Sequence, residues 1–134
     1  MTARATQKRA ASRSAGGKRG IAWAAVRKLA LSFPTMSEGT SYGEPAFLLN
    51  GKFFSRFNEK EQGLVVYAEE DLRDTLLAVE PETYFTTDHY RDYPYVLMRL
   101  ERAKLAALRE LYERAFRAKA SQKLVAEYAA RSAH

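Results

Sequence analysis

The chain has 134 residues, 46% of them apolar and 28% charged, with a formal net charge of +6 and no cysteine. Such a composition suits one globular domain that buries its core without disulfides or structural metal, and it excludes thiolate nucleophiles and zinc sites that need sulfur. No run of 18 apolar residues is present to span a bilayer, no apolar segment follows Met1 as a secretory signal would require, and a cysteine-free chain fits a reducing cytoplasm.

The positive charge is unevenly placed. Arg4, Lys8, Arg9, Arg13, Lys18 and Arg19 fall in the first 20 residues with no acid among them. The other 16 Lys and Arg residues are matched by all 16 Asp and Glu residues, so the rest of the chain is formally neutral. Residues 1–19 carry no large apolar side chain beyond Met1 and are predicted to be a disordered basic arm, suited to lying along phosphates or simply to solubility. A single domain is predicted over residues 20–134.

That domain opens with a helix from Ile21, in which Ala22, Val26, Leu29 and Phe33 make one stripe and Pro34 ends the run. Trp23 lies beside the stripe as a core anchor. Thr35 to Pro45, rich in Ser, Thr, Gly and Pro, reads as a loop. Ala46–Leu49 and Lys52–Phe57 flank Asn50-Gly51, a strong hairpin signal because both turn residues tolerate positive φ. Strict alternation on the second strand puts Phe53, Ser55 and Phe57 on one face and Lys52, Phe54 and Arg56 on the other. A turn over Asn58–Gly63 leads to a strand at Leu64–Ala68. Glu69, Glu70 and Asp71 then sit where a helix N-terminus favours negative charge, with Leu72, Leu76 and Val79 as its buried stripe and Pro81 closing it. Strands at Thr83–Thr87 and Tyr95–Leu100 are joined by the Asp88–Pro94 loop. Leu105, Leu108, Leu111, Tyr112 and Ala115 mark a long amphipathic helix, which Ser121–Arg131 either extends or follows as a separate turn. The predicted fold is α+β, an antiparallel sheet with helices packed on it in two layers, in the order αβββαββα.

Little in the chain supports catalysis. His89 and His134 are the only histidines, too few for a multi-histidine metal centre, and no nucleophile elbow, phosphate loop or dinucleotide fingerprint is present. The chain therefore reads as a non-enzyme without catalytic residue, metal or cofactor. The enzymatic alternative is acid–base chemistry at His89 with Glu82 or Asp92, which requires a pocket converging on His89. Tyr90, Tyr93 and Tyr95 with Arg91 offer a surface for stacking on bases or on a protein partner, unless Arg91 is spent on Asp88 and Asp92. His89 adds a side chain whose charge changes near neutral pH.

Two stretches, Ser41-Tyr-Gly-Glu-Pro-Ala-Phe-Leu-Leu-Asn-Gly-Lys-Phe-Phe54 and Glu80 to Leu100 with its Asp88-His-Tyr-Arg-Asp92 cluster, resemble the MmcQ/YjbR family of small bacterial proteins. The resemblance runs from about Gly20 to Phe116. It implies a compact α+β domain, and family members are generally described as DNA-binding. It further implies hairpins projecting like wings toward duplex DNA, here with Lys52, Arg56 and Arg99 on one exposed face and no acid between them. This chain has Leu48 where many members carry lysine, and fewer cations over Arg91–Tyr95. The last helix adds six cations from Arg102 to Lys119; Arg102, Arg109 and Arg117 fall near one face, where phosphate contact is expected rather than base contact. The candidate DNA-binding residues are Lys52, Arg56, His89, Arg91, Arg99, Arg102 and Arg109. The family layout is also similar to that of secretion-chaperone-like domains, so the alternative partner is a protein or peptide bound on an exposed apolar patch, with monomer and homodimer both open.

Overall fold

A computed structural model describes residues 19–132. Residues 1–18 of the predicted arm and His134 lie outside the described residues; Arg19 lies within them, donating from Nη1 to the Arg102 carbonyl at 2.7 Å. The elements are α1 (Trp23–Leu31), β1 (Met36–Ser41), β2 (Glu44–Leu49), β3 (Lys52–Asn58), β4 (Gly63–Tyr67), α2 (Glu70–Val79), β5 (Tyr84–Phe85), β6 (Tyr95–Met98), α3 (Leu105–Lys119) and α4 (Gln122–Ser132). One six-stranded sheet runs in the order β1-β2-β3-β4-β6-β5, each neighbouring pair antiparallel. Helices pack on one face of it, which is the predicted two-layer α+β architecture with one strand and one helix more than expected.

The added strand is β1, within the stretch read as a loop. Its sequence, Met-Ser-Glu-Gly-Thr-Ser, buries only Met36 and sits at the sheet edge, so it has neither apolar alternation nor β-branched enrichment to announce it. Leu48 packs closely over Gly39, where a Cβ would meet Leu48 Cδ1 at 2.9 Å and displace that side chain. The β1–β2 connection is the two-residue turn Tyr42-Gly43, with φ of 54° and 77°, and it matches the turn correctly expected at Asn50-Gly51, with φ of 53° and 79°. Both are of the type whose twist suits a hairpin.

The core lies between sheet and helices. Val26, Leu29 and Ala30 of α1 and Leu108, Leu111, Tyr112, Ala115 and Phe116 of α3 close over Phe47, Leu49, Phe54, Leu64, Val66, Val96 and Met98. Trp23 stacks on Phe47 at 5.5 Å and meets Phe57 edge-on at 6.0 Å. Helix α4 is separate from α3, and its Tyr128 packs on Phe33 and Phe116 at 5.1 and 5.2 Å. Helix α2 buries no residue completely; Leu72, Leu76 and Leu77 rest against the core, whereas Val79, expected in that stripe, is 71% exposed at the helix end.

One irregularity reorders the second hairpin strand. Phe47 pairs with Ser55 but Leu48 with Phe53, so Phe54 is an extra residue, a β-bulge. Phe54 and Ser55 consequently both face the helices, where the Tyr112 hydroxyl donates to Ser55 Oγ at 2.8 Å and Ser55 donates to the Val65 carbonyl at 2.6 Å. Phe53 and Arg56 turn to the opposite face, against Val65, Tyr90 and Leu97. The alternation expected from sequence is thereby corrected: Lys52 pairs with core-facing Leu49, on the face opposite Arg56.

Candidate functional site

The sheet face turned away from the helices is covered in part by the segment from Thr86 to Pro94. Tyr90, on this segment, is buried against Val65 and Leu97. Arg73 of α2 fastens it from outside, its Nη1 donating to the carbonyls of Arg91 at 3.0 Å and Tyr93 at 2.7 Å. Between this segment and the Tyr42-Gly43 turn opens a cleft of about 350 Å³ lined by Ser41, Tyr42, Phe53, His89, Tyr90, Tyr93 and Tyr95. Two of its rings, Tyr42 (78% exposed) and Tyr93 (57% exposed), stand in solvent.

Arg56 holds the cleft together from below. The residue is 6% exposed; Nε donates to the Tyr90 hydroxyl at 3.2 Å and Nη1 to Glu44 Oε1. The guanidinium also lies over the Tyr42 ring at 5.0 Å. The other Glu44 oxygen accepts from the Glu59 amide at 2.7 Å, so the carboxylate is satisfied at both ends. This pair ties the β1–β2 turn to the 86–94 segment. His89 meets Tyr90 edge-on at 4.6 Å and Tyr42 at 6.2 Å. Tyr95, in edge contact with Phe53 at 5.8 Å, accepts a hydrogen bond at its hydroxyl from Lys119 Nζ at 2.9 Å, and that ammonium lies 5.2 Å from the Tyr95 ring centre.

The seven cationic and histidine candidates do not form one surface. Arg56 is buried and paired rather than exposed, and an acid, Glu44, contacts it, so the expected open row of Lys52, Arg56 and Arg99 is not formed. Arg99 stacks on Phe85 at 4.2 Å and reaches the Pro81 and Glu82 carbonyls at 3.3 and 3.4 Å. Arg91 is exposed and ion-paired with Asp88, as its flanking acids suggested. Lys52 is exposed at the hairpin tip, Arg102 is exposed in the turn before α3, and Arg109 is exposed on α3, in the helical layer away from the cleft. His89 lines the cleft, which is the pocket the acid–base alternative required; neither Glu82 nor Asp92 is hydrogen-bonded to it.

No family model matches the chain, and no solved structure matches it. Uncharacterized proteins of Mycobacterium bovis and of two Mycobacterium tuberculosis strains are each 38% identical to it over 65 residues, 48% of this chain and 50% of the relative. The chain spans about half the length of the curated relatives it matches. With the relatives uncharacterized, the site's chemistry rests on its geometry.

Sequence reasoning found one wall of the cleft, His89 with Tyr90, Tyr93 and Tyr95, and missed the other. Ser41, Tyr42, Phe53 and the Glu44 partner of Arg56 lie more than thirty residues away along the chain. The signal available was Tyr42-Gly43, two residues between two extended runs, but tyrosine is an unusual occupant of a left-handed turn position. Among the described residues no group of three or more His, Cys, Asp or Glu side chains could hold a metal ion, and no helix is long and apolar enough to cross a membrane.

Proposed function

We propose that this chain is a nucleic-acid-binding protein that takes unpaired bases into its aromatic cleft, in place of the duplex-groove mode implied by the hairpin cations. The observation that carries this reading is the cleft itself: five phenyl or phenol rings and an imidazole around a space of about 350 Å³. Aromatic rings accept bases of any sequence by stacking, at about 1–3 kcal/mol per base. An exposed cation adjoins it in Lys119, bonded to Tyr95. The six cations of the first 20 residues add a sequence-independent attraction for phosphate. The MmcQ/YjbR resemblance points the same way.

The test is fluorescence anisotropy of the full chain with a labelled single strand and with the corresponding duplex across a salt series. Tighter binding of the single strand is expected, with a log–log salt slope of about −4 if six phosphates are neutralised. Tyr93→Ala, an exposed substitution, should weaken the single strand about tenfold. Equal or tighter duplex binding that is indifferent to Tyr93→Ala would overturn the stacking mode.

A second reading has its own support. Asp88 and Asp92 flank His89 and Tyr93 on the cleft segment and repel phosphate, which suits a peptide that inserts an aromatic or aliphatic side chain. Failure of both nucleic acids to bind, together with Tyr93-dependent selection of peptides from a displayed library, would favour it.

A further inference from the structure

Strand β1 leaves one of its two edges open. Among the described residues it pairs with β2 and with no other strand, and Ser37, Glu38 and Thr40 are exposed along it. The direction of its backbone groups follows from its neighbours. The Asn50 amide donates to the Thr35 carbonyl at 3.2 Å, so Thr35 and, by alternation, Ser37, Gly39 and Ser41 bond inward to β2. Thr40 lies opposite Pro45, which has no amide to offer it. The amides and carbonyls of Glu38 and Thr40 therefore point away from the sheet. Proteins guard an open edge of this kind with lysine, proline, a bulge or a covering element. Met-Ser-Glu-Gly-Thr-Ser has no lysine or proline, and all six residues run in register with β2. The opposite edge strand, β5, is only two residues long, which is itself a guard.

We infer that β1 is a dimer interface, pairing antiparallel with β1 of a second copy about a two-fold axis at Gly39. Charge and bulk set the register. An axis at Glu38 would put the two Glu38 side chains directly opposite each other, which is destabilising, and axes nearer either end pair fewer residues. An axis at Gly39 sets Glu38 against Thr40 of the second copy, leaves no side chain at the centre, and lets both of those pairs exchange main-chain hydrogen bonds. The edge is also self-complementary in charge. Glu38 is paired with Arg27 of α1 at 2.6 Å, so each copy brings a neutral pair rather than a bare carboxylate to the seam. Residues opposite each other in antiparallel strands share a face, so the axis is perpendicular to the sheet. The two six-stranded sheets join into one with both clefts on the same face. Ser37 of the second copy then lies opposite Ser41 at the cleft wall. The inference does not depend on what the clefts bind.

Sedimentation equilibrium of the full chain, from micromolar to millimolar concentration, is expected to show the mass rising from one chain to two. Amide exchange followed by NMR on the same samples reads the register without any substitution. The Glu38 and Thr40 amides should slow about tenfold where about nine-tenths of the chains are paired. Thr40→Pro removes an outward amide at an edge position that tolerates proline, and should weaken association at least about tenfold. Thr40→Lys, which leaves the backbone intact, should weaken it as well. A mass of one chain at every concentration overturns the inference and leaves the edge to some other extended chain. A dimer whose Glu38 and Thr40 amides exchange as fast as in dilute solution, or which Thr40→Pro leaves intact, overturns it in favour of another face.

Discussion

Tyr42 combines a left-handed backbone, φ 54°, with a ring exposed in the cleft mouth. A bulky residue at such a position stores strain of order 1 kcal/mol or more, and strain of this kind gathers at binding sites. Asparagine tolerates the same geometry. Tyr42→Asn is therefore expected to raise stability by about 1 kcal/mol while weakening oligonucleotide binding about tenfold. Urea unfolding and anisotropy on one sample check it, and a loss of stability would mean that the ring's packing on Arg56 outweighs the backbone strain. Arg56 is the opposite case, a charge that stability needs. Its side chain is 8% exposed and that of Glu44 19%, so removal of one partner leaves the other poorly solvated. Arg56→Met is expected to cost about 3 kcal/mol, and adding Glu44→Leu to recover much of it. A single-variant cost below about 1 kcal/mol would show that water screens the pair.

Among the elements, α2 and the 86–94 segment are loosely held. Helix α2 buries no residue completely, in contrast to β4, where Leu64, Val65 and Val66 are wholly enclosed. Backbone amides of α2 should exchange with deuterium well before those of β3 and β4. The two loose elements are joined through Arg73, whose Nη1 serves the Arg91 and Tyr93 carbonyls. Arg73→Met is expected to speed exchange across 86–94 and to weaken binding at the cleft, at a cost of about 1–2 kcal/mol in global stability. Unchanged exchange in that segment would assign its order to the packing of Tyr90 instead. The α2 stripe was legible as far as Leu76, and failed at Val79 because the last turn runs past the edge of the core.

For the molecule as a whole, two buried phenols set the behaviour at high pH. Burial pushes the Tyr112 hydroxyl far above the usual tyrosine range, partly offset by its bond to Ser55. Burial raises Tyr84 similarly, with Glu80 and then Glu110 adding to it. A proton held more tightly in the folded state gives stability that is complete below the unfolded value of about 10 and is lost as pH rises through the folded value. Stability should be flat up to about pH 10 and then fall by up to about 1.4 kcal/mol per pH unit for each of the two groups. Urea midpoints with phenolate absorbance follow this, and Tyr112→Phe should reduce the slope. A midpoint that holds steady through pH 11 would contradict it.

The helices, the Asn50-Gly51 hairpin and the two-layer class were readable directly, because helical stripes and turn residues are local signals carried within a dozen positions. So was one half of the cleft, since His89 and the three tyrosines follow one another along the chain. What remained hidden depends on pairing between distant segments. The polar edge strand β1 is a strand because β2 pairs with it, and the bulge at Phe54 exists only in the register of β2 on β3. That single extra residue sends Arg56 to the far face of the sheet, where it meets Glu44, Tyr42 and Tyr90 and becomes a strut of the cleft rather than an exposed contact. Side-chain direction in a strand has a period of two, so one residue of slip, invisible in composition or alternation, decides which face a charge serves.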